Sequence, residues 1–270
     1  MTTPTPSVSL RRQALQRLMI NCPLDKARAV RLLGSDMALD TDAFNPQESL
    51  AAPEGLPGRP ERPLLVHPSQ LKTRAVGTVE GRAALIHSLA HIEANAINLA
   101  LDLVWRFDSM PEAFYADWLQ VAREEALHFQ LLNDHLQSLG FAYGDFPAHD
   151  GLWEMAEKTK DDLLARLALV PRTLEARGLD VTPAIQNKLI SVGDRAGAAI
   201  LDVILRDEIG HVAVGNHWYR HLCTQRQLDP IPTYAALART YGARPLKGPF
   251  NLPARRAAGF EEAELALLVT

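Results

Sequence analysis

Two short motifs in the sequence place a carboxylate and an imidazole one helical turn apart. Glu125 precedes His128 by three residues, and Glu208 precedes His211 by the same spacing. Residues three apart in an α-helix project from one face, so the two side chains of each pair can bind the same metal ion. One Glu-x-x-His motif occurs often by chance. Two of them, 83 residues apart on predicted antiparallel helices, indicate a shared site.

Each motif also has a glutamate upstream at a matching distance. Glu93 lies 32 residues before Glu125, and Glu175 lies 33 residues before Glu208. Glu93 and Glu125 are each about 16 residues from the predicted turn at Ser109, so both lie about 24 Å from the same end of the hairpin. Glu175 and Glu208 have the same relation to the next predicted turn. The two hairpins are therefore expected to repeat one ligand-bearing unit.

The surroundings of these glutamates favour a metal site over surface charges. Glu93, Glu125 and Glu208 lie within apolar stripes that are predicted to face the core. A buried carboxylate without a partner costs several kcal/mol, whereas two divalent cations would neutralise four carboxylates. Mixed carboxylate and imidazole ligands suit iron or manganese, with zinc as an alternative. The predicted metal ligands are Glu93, Glu125, His128, Glu175, Glu208 and His211.

Two acids beside the motifs are candidates for orienting the histidine ligands. Glu124 and Asp207 each immediately precede a predicted ligand glutamate. An acid in this position can accept a hydrogen bond from the outer nitrogen of a histidine on the opposite hairpin. The alternative for both is a solvated charge on a helix. The other helical histidines are expected to pack in the core or lie on the surface; they are His87, His91, His135, His217 and His221.

Four long helices are needed to position these residues, and their periodicity predicts an all-α fold. The third is expected to begin near Gly151 and to be disturbed by Pro171, Gly178 and Pro183. A break at 192–194 precedes the fourth. The predicted bounds of the others are Val79–Asp108, Pro111–Ser138 and, for the fourth helix, an end near Cys223.

Three parts of the chain are predicted around this bundle. Residues 1–78 contain short helices within 9–38 and a proline-rich arm from Asn45 to Pro68, and both are expected to pack on the bundle. Residues 79–224 are predicted to form the four-helix bundle with its dimetal site. Residues 225–270 form an irregular tail that folds over the bundle, with short helices near 234–241 and 261–268. The segment 245–260 is predicted to cover the entrance to the metal site.

Composition limits the classes of protein that remain. The chain has 270 residues, 47% of them hydrophobic, and a net charge of -4, which gives no global reason to expect nucleic acid or an anionic membrane. Cys22 and Cys223 are the only cysteines, so a rubredoxin-type iron centre and a zinc ribbon are excluded. The N-terminus lacks the apolar core of a signal peptide, and no apolar run reaches the roughly 20 residues that span a bilayer. A cytoplasmic location is expected.

The paired motifs, each with an upstream glutamate, resemble those of ferritin-like di-iron carboxylate proteins over about Val79–Cys223. The segments 174–180 and 206–212 look like a bacterial ferritin-like family of unknown function, and that similarity extends into the tail around 251–260. The segment 175–177 also resembles tRNA-modifying di-iron hydroxylases that act on isopentenyl-adenosine. The resemblance implies a bundle of two antiparallel helical hairpins that holds two metal ions, with the six ligands carried over.

This resemblance suggests an oxidoreductase or hydroxylase that activates O2 or peroxide and oxidises an unknown small molecule. An external electron donor would be needed, because the chain has no flavin, NAD or iron–sulfur signature. One alternative is a tRNA-modifying hydroxylase that uses the basic residues Arg244, Lys247, Arg255 and Arg256, although the acidic net charge does not favour it. The other is a non-catalytic iron- or manganese-binding or storage protein. A homodimer is compatible with either alternative and with the enzyme.

Overall fold

The computed structural model describes residues 8–34 and 43–269. Regular structure in these residues is helical, apart from an isolated parallel bridge between Leu65 and Ala148, and the predicted all-α class is confirmed. The α-helices are α1 (Leu10–Leu18), α2 (Pro23–Arg31), α3 (Val79–Arg106), α4 (Glu112–Ser138), α5 (Gly151–Lys158), α6 (Leu163–Leu169), α7 (Ala176–Ser191), α8 (Arg195–Gln225), α9 (Pro230–Thr240), α10 (Leu252–Ala257) and α11 (Glu262–Ala266).

Helices α3 and α4 form the first long hairpin. Thr78 starts α3 because its hydroxyl accepts a hydrogen bond from the Gly81 N–H at 3.0 Å. The turn between the helices is held by Tyr115, whose hydroxyl donates to the Phe107 carbonyl and accepts from the Met110 N–H. Both helices bury the apolar face from which the sequence predicted them. Their observed bounds agree with the predicted ones to within two residues.

The third long element is interrupted: a helix begins at Gly151, as the sequence predicts, but it ends at Lys158. Asp162 accepts hydrogen bonds from two backbone N–H groups and so starts α6 at Leu163, which leaves α5 as a separate short helix. A π-helical segment, Val170–Glu175, joins α6 to α7. It contains Pro171, which has no N–H for the regular helical ladder. Helix α7 continues through Gly178 and Pro183, which were expected to disturb it.

Helix α8 completes the bundle and is its longest element, with 31 residues. The Asp194 side chain starts it by accepting from the Gly197 N–H, and it also contacts His135 Nε2 at 3.0 Å near the end of α4. This contact ties the two hairpins together at one end of the bundle. Helix α8 packs on α4, α6, α7 and the π-helical segment, so it lies beside most of the elements that carry predicted ligands.

The N-terminal helices pack on the first hairpin, α1 on α3 and α2 on α4. Arg11 is fully buried and donates to the carbonyls of Val104 and Trp105 near the end of α3. Lys26 is buried and donates to the Asn98 side chain at 2.6 Å. The predicted continuation of these helices over 35–38 and the segment 1–7 lie outside the described residues. The division of the chain at 78 and 224 stays a prediction.

The tail returns to the second hairpin, where α10 packs on α7 and α8. Arg255 makes a fully buried ion pair with Asp180 of α7, and Asn251 donates to the Asp180 carboxylate and the Leu179 carbonyl. The tail therefore lies next to Glu175, and a covering of the metal-site entrance stays a prediction. Within the described residues, none of the helices combines the length and apolar character needed to span a bilayer.

Candidate metal centre

The six predicted ligands come from all four long elements of the bundle. Helix α3 carries Glu93, α4 carries Glu125 and His128, the π-helical segment ends on Glu175, and α8 carries Glu208 and His211. Five of these side chains are buried, and Glu125 and His128 have no exposed surface. Glu175 is partly exposed as a residue, but its Oε2 atom is buried.

Glu125 lies between the two histidines. Its Oε2 atom is 3.4 Å from Nδ1 of His128, and its Oε1 atom is 2.9 Å from Nδ1 of His211. Glu93 approaches His128 Nδ1 to 3.4 Å, and Glu208 approaches His211 Nδ1 to the same distance. Each histidine thus faces two carboxylates through Nδ1, and one carboxylate belongs to both groups.

Four of these side chains are close enough to share one ion. Single ligand atoms of Glu93, Glu125, His128 and Glu208 all lie within 4.8 Å of one another, so this buried group could hold a metal ion. His211 contacts two of its members. Glu175 lies outside this set of four, yet it is near enough for the charges of Glu208 and Glu125 to act on it.

Several candidate ligand atoms at the centre have no hydrogen-bond partner within 8–34 and 43–269. Buried polar atoms are nearly always paired, since an unpaired one costs about 1–3 kcal/mol. Carboxylate oxygens and a histidine nitrogen without partners, converging on one point, are suited to bind cations, and the residues therefore fit a metal centre. The unpaired atoms are Glu93 Oε2, Glu125 Oε1 and Oε2, His128 Nδ1 and Glu175 Oε2.

The electrostatics of the cluster describe the metal-free protein. Burial and then the charge of Glu125 raise the pKa of Glu93 to about 8. Burial, followed by the charges of Glu208 and Glu125, raises the pKa of Glu175 well above its ordinary value. Protonation of these carboxyl groups is favoured, because neighbouring buried carboxylates repel each other.

The pKa values of the two histidines are also raised, although burial acts on a histidine in the opposite direction. Burial by itself would lower the pKa of His128, but contacts with Glu125 and Glu93 raise it to about 11. For His211 burial also lowers the pKa, and the charge of Glu125 with contacts to neighbouring acids raises it well above the ordinary value. The neighbouring carboxylates therefore favour the protonated form of both histidines.

The outer nitrogen of each histidine contacts an acid from the other hairpin. His128 Nε2 lies 3.1 Å from Asp207 of α8, and His211 Nε2 lies 2.8 Å from Glu124 of α4. When Nε2 donates its proton to such an acid, the Nδ1 lone pair is left for a metal ion. The role of all eight residues in metal binding stays a prediction.

Two features around the centre were missed by sequence reasoning. The π-helical segment ends on Glu175, and its only sequence signal is Pro171. The contact of His135 with Asp194 had no signal, because the two residues are 59 positions apart. His87 and His91 pack in the core as expected, and His91 contacts the Tyr143 hydroxyl at 2.8 Å.

Comparison with known proteins covers most of the chain. Residues 20–266 match the family described as "Protein of unknown function (DUF455)". An uncharacterized protein of Haemophilus influenzae strain Rd is 51% identical over 227 residues, which are 82% of this chain and 77% of that protein. No solved structure matches the chain.

Proposed function

The chain belongs to the DUF455 family, and we propose that it is a ferritin-like di-iron protein that oxidises an organic substrate with O2 or peroxide. The observation that carries this proposal is the position of Glu125, whose two unpaired oxygens face the Nδ1 atoms of both histidines in a buried cluster. A carboxylate placed between two imidazoles suits a ligand that two metal ions share.

Charge balance favours two divalent ions over one. The cluster contains four carboxylates, and two divalent cations would neutralise them while the histidines stay neutral ligands. Glu93 and Glu125 with His128 would hold one ion, and Glu125 and Glu208 with His211 would hold the other. Glu175 supplies a further buried oxygen that lacks a partner.

Iron is proposed because the ligands combine carboxylate oxygens with imidazole nitrogens, and manganese or zinc is the alternative outcome. Bound iron would supply the O2 or peroxide chemistry. The chain's own residues hold the ligands in an apolar core and restrict the access of water, and Asp207 and Glu124 fix the histidine Nε2 protons. An external electron donor would complete the reaction.

A small-molecule substrate is favoured over tRNA because two of the four basic tail residues are already paired with acids of the same chain. Arg255 is buried in an ion pair with Asp180, and Arg256 is paired with Glu262. Of the four residues considered for tRNA binding, Arg244 and Lys247 have side chains without a partner among the described residues. Two free cations are fewer than a phosphate-binding surface normally uses.

Metal analysis of the purified protein tests the proposal. After anaerobic loading with ferrous iron and removal of excess metal, about two equivalents of iron per chain are expected. Glu125→Ala and Glu208→Ala should each lose most of this iron. Glu54→Gln is the control, because Glu54 is exposed and its side chain has no partner among the described residues. Wild-type protein that retains no metal would overturn the site.

The reaction of the loaded protein with O2 separates an oxidase from a storage protein. We expect stoichiometric oxidation of the two ferrous ions within seconds to minutes, followed by return to the ferrous state with a chemical reductant. Iron that stays ferrous in air would overturn the oxidase and leave a metal-binding protein. Many iron atoms accumulating per chain would indicate storage.

A further inference from the structure

The tail lines a half-open cavity that is separate from the metal centre. It has a volume of about 510 Å³ and lies between α9, the segment that follows it, α11 and the start of the π-helical segment. None of the six predicted metal ligands lines it. Its size is within the range of pockets that bind small molecules. Its walls are largely apolar and include Ile231, Tyr234, Leu246, Phe250, Phe260 and Leu268.

Arg172 places a buried positive group in the wall of this cavity. Only 2% of the residue is exposed, and its guanidinium stacks on the rings of Tyr219 and Phe260. Its Nε donates to Asn216 and its Nη2 donates to Glu264, while Nη1 has no hydrogen-bond partner among the described residues. A guanidinium held between rings cannot turn toward solvent, so its remaining N–H groups are available to a ligand.

Two further arginines lie at the exposed part of the cavity. Arg239 and Arg244 both line it, and neither side chain has a partner in the part of the chain that the structure describes. The charges of the other two arginines are compensated, since Arg172 pairs with Glu264 and Arg255 pairs with Asp180. The cavity therefore combines apolar walls with an excess of two positive charges.

We propose that this cavity binds a small organic anion with an apolar body and a terminal carboxylate or phosphate. The body would lie among the aromatic and aliphatic walls, where its burial is favourable. The anionic group would accept hydrogen bonds from Arg239 and Arg244, since guanidinium groups match carboxylate and phosphate oxygens in shape and charge. This site goes beyond the metal centre and does not require metal.

Binding is measured by calorimetry on the full chain with four probes that share a ten-carbon body. Decanoate and decyl phosphate carry the two anionic groups, decanol is neutral, and decyltrimethylammonium is cationic. At least one anion is expected to bind about tenfold tighter than decanol, which corresponds to one good charged contact. The cation should bind more weakly than decanol, because the arginines repel it.

Three variants test whether the probes bind in the cavity. The double variant Arg239→Ala/Arg244→Ala should lose about tenfold in affinity for the anions and little for decanol. Ala238→Trp should weaken the binding of all probes, because Ala238 lines the cavity and the indole would occupy part of the space that the apolar body needs. Arg195→Ala is the matched control, since Arg195 is exposed on α8 and its side chain has no partner among the described residues.

Binding of the anions should not depend on the metal centre. Glu125→Ala should bind the anions as the wild type does, even where it has lost iron, so failure of one proposal is distinguishable from failure of the other. Equal affinity for anions, decanol and the cation would overturn the proposed site. The proposed site would also be overturned if Ala238→Trp and the double arginine variant bound the anions with wild-type affinity and each kept the thermal unfolding of the wild type.

Discussion

His211 Nδ1 lies 2.9 Å from Glu125 Oε1, although the two residues belong to different helical hairpins. This approach lacks hydrogen-bond geometry, and Oε1 has no other partner. The second oxygen of Glu125 has the same relation to Nδ1 of His128, at 3.4 Å. Acceptor atoms that converge in this way on a buried point could bind a cation, since no N–H is directed at these oxygens among the described residues.

The acids behind the histidines should tune metal affinity. Asp207→Asn keeps the size of the side chain but weakens its contact with His128 Nε2, so we expect iron affinity to fall about 10- to 100-fold. Competition with a chromogenic chelator measures this change. Asp202→Asn is the control, because Asp202 lies exposed on the same helix and contacts Gln186. An Asp207→Asn affinity within twofold of wild type would remove Asp207 from the site.

Gly215 is needed where the π-helical segment meets α8. A Cβ atom at this position would lie 2.6 Å from Cβ of Pro171, so Gly215→Ala must displace the segment that ends on Glu175. We expect a loss of about 1–3 kcal/mol in the free energy of unfolding and weaker iron binding.

Gly210 in the same helix supplies the matched comparison. A Cβ atom there meets nothing within 4 Å, so Gly210→Ala should stabilise the helix by about 1 kcal/mol. Urea unfolding of the metal-free variants compares the two changes. Equal effects of both substitutions would show that the contact with Pro171 does not constrain the backbone.

Two adjacent arginines should differ in how strongly they fasten the tail. The side chains of Arg255 and its partner Asp180 are both fully buried, and Arg255→Met leaves that carboxylate only the more exposed Arg177 as a cationic partner, so it should cost about 3 kcal/mol. Arg256 pairs with Glu262 in solvent, and Arg256→Met should leave stability unchanged. Urea unfolding and limited proteolysis of the tail measure both. Unaltered protease resistance in Arg255→Met would mean that other contacts hold the tail.

His87 should make the protein sensitive to acid. It is fully buried and accepts a hydrogen bond from the Gly144 N–H, and burial lowers its pKa to about 4, partly offset by the charge of Asp145. As the pH falls, His87 of the unfolded chain therefore binds a proton near pH 6.5, whereas His87 of the folded protein binds one only near pH 4. The contribution of neutral His87 to the free energy of unfolding should be fully present above pH 6.5 and should fall by about 3 kcal/mol toward pH 4.

Substitution of His87 isolates this effect. His87→Gln retains an acceptor for the Gly144 N–H but does not titrate, so its free energy of unfolding should fall less between pH 6.5 and 4 than that of the wild type. His221→Gln, at an exposed position on α8, should keep the wild-type slope. Identical slopes for wild type and His87→Gln would show that the acid sensitivity arises elsewhere.

The chemistry of the centre could be predicted from local spacing. Glu125 and His128 share a face because the helix repeats every 3.6 residues, and the same holds for Glu208 and His211. Position relative to the turn placed Glu93 at the level of Glu125, and the structure has both beside His128. Apolar periodicity also predicted the all-α class and the ends of the first hairpin.

Other features depended on residues that are far apart in the chain. The third element was predicted as one helix from Gly151 with a disturbance at Pro171, and the sequence did not predict the interruption before α6, which Asp162 caps. The cavity in the tail had no sequence signal. It depends on Arg172 meeting Glu264, 92 positions away, and on rings that come together when α9 and α11 fold back.

The sequence by itself determined which residues could bind metal and on which helical faces they lie, since helix geometry is set by neighbours within one or two turns. Only the tertiary structure decided that Glu125 stands between the two histidines and that the tail lines a half-open cavity with an excess of positive charge. These relations follow from side chains packing between distant helices, and helical periodicity carries no information about that packing.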